Sequence, residues 1–223
     1  MPDEAGISEA RESAAAQKVA VGSIAEGVVG AGAATVAVIA LTGVSPQVLL
    51  CVATIAAGSA LMLQGGATAG RFSTLIRESS ARRIPSPELG GGLTAEFLGG
   101  VTGIVLGVLA LLNIHPLTLL PAAVIVLGSA LILGSGVSAR MNMLIVERIE
   151  PGGFAREVAR QAIASAAGLQ VLIGIGAVTL GILGVTGSSP VLLSLVAVLA
   201  VGVSDLLSGT TVAGRLVNMF HSS

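Results

Sequence analysis

Every lysine and arginine of this chain lies outside six apolar stretches, which run Val19–Val44, Val48–Gly70, Leu93–Leu112, Leu117–Ala139, Ile163–Val185 and Val191–Ala213. Each stretch is near or above the roughly 20 residues that a helix needs to cross the hydrocarbon of a bilayer. Backbone groups inside hydrocarbon must find partners within the segment itself, so these stretches have to be helices rather than strands with open edges. Composition agrees: 53% of residues are apolar and 10% charged, against roughly 25% charged in an ordinary soluble domain. So few charges cannot cover a water-facing surface. The expected fold class is an all-α integral membrane protein of six transmembrane helices.

The connections alternate in character. Those after the odd spans are short and carry no lysine or arginine: Thr42-Gly43-Val44-Ser45-Pro46, Asn113-Ile114-His115-Pro116 and Thr186-Gly187-Ser188-Ser189-Pro190. Their turn formers end one helix, and proline suits the first turn of the next. The others, Arg71 to Glu88 and Arg140 to Arg160, are long and charged, and all 11 Lys+Arg residues fall on their side or on the termini. By the positive-inside rule that side is cytoplasmic, together with both termini. The start, Met1 to Gln17, is acidic rather than basic, so the first span is expected to direct insertion itself into a plasma or inner membrane.

The three short turns also mark an internal repeat. Pro46, Pro116 and Pro190 each separate an odd span from an even one, and aligning the chain on them brings other positions into register. Twelve residues after each proline stand Gly58, Gly128 and Gly202; sixteen before stand Gly30, Gly100 and Gly174; twenty before stand Glu26, Glu96 and Gln170. Along the odd spans the Gly/Ala face continues as Ala33, Gly103 and Ala177, then Ala37, Gly107 and Gly181, then Ala40, Ala110 and Gly184. Steps of four and three place these residues on one stripe of a helix. Small residues at that spacing let helices approach closely, which is how helices associate in lipid. The reading is one membrane domain, 1–223, of three parallel tandem hairpins, approximately 14–76, 87–146 and 157–219. They are expected to pack through the odd helices around a pseudo-threefold seam of glycine and alanine. Three two-helix units resemble the broad plan of mitochondrial carriers. The inner ends Leu61 to Ser73, Leu131 to Met143 and Asp205 to Val217 lack that family's repeated Pro-x-acidic-x-x-basic signature, so its substrates and sites do not carry over.

Four polar residues inside the spans are candidate ion or proton sites: Glu26, Glu96, Gln170 and Asp205. Ionisable groups in membrane helices are costly and face the bundle interior, another polar group or a water path. At 1.5 Å per residue the glutamates lie about 30 Å from their outer prolines, near the cytoplasmic interface, whereas Asp205 lies about 22 Å from Pro190, within the span. Asp205 breaks the repeat, since its equivalents are Leu61 and Leu131, and Gln170 stands where the other units have glutamate. If Glu26, Glu96 and Asp205 converge, they could attract a cation or relay a proton. Alternatively Glu26 and Glu96 pair with Arg71 and Arg140, and Asp205 bonds Ser204, Ser208 or Gln170. Gln64, Thr210 and Thr211 are further candidates for hydrogen bonds between helices.

Other chemistries find little support. Gly30-Ala31-Gly32-Ala33-Ala34-Thr35 lies within a span, with no P-loop lysine after it. His115 and His221 fall on opposite sides and accompany no cysteine cluster, so neither a metal site nor a Ser-His-Asp set is assembled. Cys51, the only cysteine, reads as a packing residue. No cofactor, catalytic set or nucleic-acid footprint is implied. The expected partners are the lipid bilayer and a homo-oligomer or membrane-protein partner. Two functions fit: a small transporter or ion/proton-translocating subunit, or a non-catalytic scaffold or accessory subunit packing through Gly/Ala faces.

Overall fold

A computed structural model of the chain describes residues 24–78, 87–149 and 154–221, and all of these are helical apart from three short turns. The helices are α1 (Ile24–Leu41), α2 (Pro46–Glu78), α3 (Pro87–Leu111), α4 (Pro116–Ile149), α5 (Phe154–Val185) and α6 (Pro190–His221). Five contain windows long and apolar enough to span a membrane, and α3 contributes the shorter apolar stretch Ala95–Leu111. Large apolar side chains stand on the outside, among them Val28, Leu98, Leu133 and Leu172, each at least 59% exposed. Water would not tolerate such a surface, whereas hydrocarbon solvates it. Threonine hydroxyls on that outer surface are satisfied within their own helices: Thr35 donates to the Ala31 carbonyl, Thr102 to Leu98 and Thr179 to Ile175. The chain is an all-α integral membrane protein.

The three turns share one backbone solution. Gly43, Asn113 and Gly187, three residues before the respective prolines, have φ of 93°, 63° and 95°. Their amides bond the carbonyls of Ala40, Ala110 and Gly184, ending each odd helix through a left-handed residue. Ser45, His115 and Ser189 then adopt φ of 39°, 41° and 45°, and their carbonyls accept the amides of Leu49, Leu119 and Leu193 as the next helix starts. Proline follows at the first helical position, where a missing N–H costs nothing.

Helices α2, α4 and α6 touch one another pairwise. Helix α3 packs against α2 and α4, and α5 against α4 and α6, while α3 and α5 do not meet among the described residues. Burial follows this plan: 56%, 50% and 44% of the spanning windows of α2, α4 and α6 are buried, against 39% and 22% for α1 and α5. The even helices therefore form the centre and the odd helices sit outside it. This corrects the expectation of a central seam through the odd helices. The Gly/Ala stripes fit each odd helix against neighbouring even helices instead. Small residues report close approach without saying which helix approaches.

The tightest approaches are glycine on backbone. A Cβ added to Gly58 of α2 would stand 2.7 Å from the Gly100 carbonyl oxygen of α3, and one added to Gly100 would stand 2.5 Å from the Gly58 oxygen. Gly128 of α4 and Gly174 of α5 have the same relation, each added Cβ lying 2.7 Å from the other's oxygen. Gly202 of α6 meets α1 likewise, at 2.9 Å from the Ala34 nitrogen and 3.0 Å from the Gly30 oxygen. Gly107 lies over Ile55 and the Cys51 carbonyl, and Gly181 over Ile125 and the Pro121 carbonyl. Gly103 meets only the side-chain end of Leu127 and the Cα of Gly58, a contact that can give more easily.

Gly100→Leu should abolish recovery of folded protein or lower its Tm in detergent by several degrees, since overpacking against backbone costs at least about 1–3 kcal/mol. Gly32→Leu, where an added Cβ meets nothing, should leave Tm within error, and equal behaviour of the two variants would contradict this packing.

Candidate functional site

The site begins with the leucine register of the central helices. Leu61 of α2 and Leu131 of α4 are wholly buried, and the corresponding position on α6 is Asp205, also 0% exposed. Where two helices carry a buried leucine, the third carries a buried carboxylic acid. Both its oxygens are buried without a hydrogen-bond partner. Helix α1 closes tightly over it, because a Cβ at Gly30 would lie 2.8 Å from the Asp205 Cβ.

Two further carboxyls approach from the outer helices. Glu26 follows the Gly30 face of α1 one turn toward the long-loop end and is 5% exposed. Glu96 stands in the same relation to Gly100 on α3 and is 1% exposed. Asp205 interacts electrostatically with both. The structure therefore brings Glu26, Glu96 and Asp205 into one electrostatic neighbourhood, supplied by three different helices.

Glycines on two central helices make room for Glu96. A Cβ at Gly65 of α2 would stand 3.1 Å from the Glu96 Cβ, and a Cβ at Gly134 of α4 would collide with the Glu96 carboxylate. Both Glu96 oxygens are buried, with no hydrogen-bond partner among the described residues. Eighteen residues after its proline, where α4 has Gly134, α2 has Gln64 and α6 has Ser208. Gln64 is itself buried, 8% exposed. That register carries the one signal by which Gly134 could have been found from sequence: a glycine opposite a glutamate, where the other two hairpins offer a polar side chain.

Gln170 does something different. Its Nε2 donates to Ser208 Oγ at 3.0 Å, tying α5 to α6 within one hairpin. Asp205 bonds neither of these groups nor Ser204, since both its oxygens lack hydrogen-bond partners. The alternative pairings of Glu26 with Arg71 and of Glu96 with Arg140, and the contributions of Thr210 and Thr211, lie outside the described side chains. Sequence reading overlooked Ser194, a fully buried α6 hydroxyl with no partner. Serine is too common in membrane helices to stand out without a view of burial.

Among the described residues, no three His, Cys, Asp or Glu groups come together closely enough to hold a metal ion. Ionisable groups inside membrane helices face the bundle interior, another polar group or a water path, and the carboxyls here face the interior. Comparison with protein-family models, curated proteins and solved structures finds no match to this chain.

Replacing Asp205 by the residue its register mates carry tests the cost of the acid. A buried polar group left unsatisfied costs about 1–3 kcal/mol, so Asp205→Leu should raise Tm in detergent by a few degrees. A lower Tm with retained secondary structure would show that Asp205 is satisfied in the folded protein.

Proposed function

We propose that this chain is a small membrane transporter or ion-translocating subunit, and that protons are what it moves. The observation that carries the reading is Asp205: a wholly buried carboxyl of α6 packed under Gly30 of α1, without a hydrogen-bond partner among the described residues and within electrostatic reach of Glu26 and Glu96. A purely structural bundle gains nothing from a buried acid at a position where its other central helices carry leucine. A proton carrier needs one that can be charged and discharged. The absence of a metal-gripping set among the described residues favours protons over a multi-carboxylate metal cargo.

In this reading the bundle consists of three tandem hairpins around a pseudo-threefold axis, approximately 14–76, 87–146 and 157–219. Three equivalent glycine crossings support it, Gly58 with Gly100, Gly128 with Gly174 and Gly202 with Gly30, as do the matching turn geometries. The charge split places the long-loop end and both termini in the cytoplasm of a cell bounded by a plasma or inner membrane. The acid cluster then lies in the cytoplasmic half. Glu26 and Glu96, a turn closer to that interface, would exchange protons between Asp205 and inner water.

Purified protein in liposomes with an internal pH dye should dissipate an imposed pH gradient faster than empty vesicles. Asp205→Asn should reduce that rate at least tenfold, and Glu96→Gln should reduce it by a smaller factor. Folded protein that leaves the gradient intact would falsify proton translocation.

The alternative is a scaffold or accessory subunit, as a homo-oligomer or bound to another membrane protein. One observation favours it: α5 is the least buried helix, and its Gly168 and Gly176 face open space. The packing glycines at helix crossings are by contrast occupied within the chain. A scaffold built on α5 predicts that Gly176→Leu dissociates a complex seen by native mass measurement in nanodiscs. A monomer for the unchanged chain, with no co-purifying partner, would remove this reading.

A further inference from the structure

Asp205 is reached in this structure from neither end, yet α6 carries a second polar group on the same face. Ser194 precedes it by eleven residues, three helical turns or about 16 Å toward the short-turn end. It occupies the register of Leu50 on α2 and Leu120 on α4, and all three are buried. Its hydroxyl has no hydrogen-bond partner. Buried hydroxyls elsewhere in the core behave differently, as when Thr54 donates to the Leu50 carbonyl at 2.8 Å. An orphaned hydroxyl inside a protein calls for an unseen water or a functional reason.

A groove of about 510 Å³ opens at the short-turn end beside the first turns of α6, reaching Leu195, the neighbour of Ser194. Pro46, Leu117, Pro190, Val191 and Leu195 are among its lining residues, so it draws on the first residues of α2, α4 and α6. Ser194 lies four residues, about 6 Å, below Pro190. Between Ser194 and Asp205 the central helices present Thr54, Val124 and Val198 in one register, then Ala57, Leu127 and Val201 in the next, all of them buried. From the short-turn end inward α6 presents the Ser194 hydroxyl, then Val198 and Val201, then the Asp205 carboxyl, all of them buried.

We infer that this order is the outer half of a proton path, in which Ser194 holds a water molecule and Val198 with Val124 forms the closed gate above Asp205. The inference rests on the translocation reading and adds to it an entrance and a gate. When the valine layer parts, water connects the two stations. A proton on that water breaks its O–H bond there and forms one on the Asp205 carboxylate, leaving neutral water behind. On the inner side the Asp205 proton passes to a water or to a carboxylate of Glu26 or Glu96, and the Asp205 carboxylate is restored. Among the described residues the titratable groups that act on Asp205 are Glu26 of α1 and Glu96 of α3.

The test combines flux with access. In liposomes, Ser194→Leu, which installs the residue of the other two helices, should slow proton flux at least fivefold; Ser194→Ala serves if that variant does not fold. Val198→Ala should raise flux at least threefold. In a Cys51→Ala background, a small membrane-impermeant thiol reagent added on the short-turn side should label Ser194→Cys at least tenfold faster than Val201→Cys. If the unchanged protein moves no protons, the translocation reading itself fails. If it does, but Ser194 substitutions leave flux unchanged or the two cysteines label equally, the outer path is overturned while the function stands.

Discussion

The bundle depends on backbones meeting at three helix crossings. Lipid supplies no hydrophobic force to press one apolar helix onto another, so association rests on contact area and the closeness of approach. Where Gly58 meets Gly100, Gly128 meets Gly174 and Gly202 meets Gly30, no room exists for even one methyl group. Each crossing joins an even helix to an odd helix of a different hairpin. The turns hold hairpins together in sequence; the glycines hold hairpins to one another.

That arrangement also explains where the acids sit. Glu26 and Glu96 each follow a crossing glycine by one turn toward the long loops, so the close approach that places Gly30 and Gly100 against a central helix carries the next turn inward as well. Asp205 lies beside the third crossing, under Gly30. Packing and site are therefore not separable: side chains that would loosen a crossing would also move a carboxyl.

Much of this was legible in the residues. Apolar run length and the turn prolines predicted the spans, and the spacing from those prolines found the crossing glycines and the odd residue Asp205. The helix that lies inside was not legible. In lipid a buried helix and a lipid-facing one are both apolar all round, so α2, with Leu50 and Leu61 at its core, reads much like α5, with Leu172 on its surface. The stripe of small residues on the odd helices was consequently placed at the centre when it lies between centre and periphery. Convergence of the acids needed helix rotation, which spacing within one helix leaves open. The Glu96 seat at Gly134 needed the partner helix, because a glycine's role there is defined by what it does not occupy.

The contact between Gly202 and Gly30 joins the last helix to the first. Helix α6 is made after the other five, and its Gly202 turn is what lies against Gly30 and Ala34 of α1. The same helix brings Asp205. Docking of α6 therefore closes a glycine crossing and adds the third carboxyl in one event: before it, Glu26 and Glu96 are present and Asp205 is not.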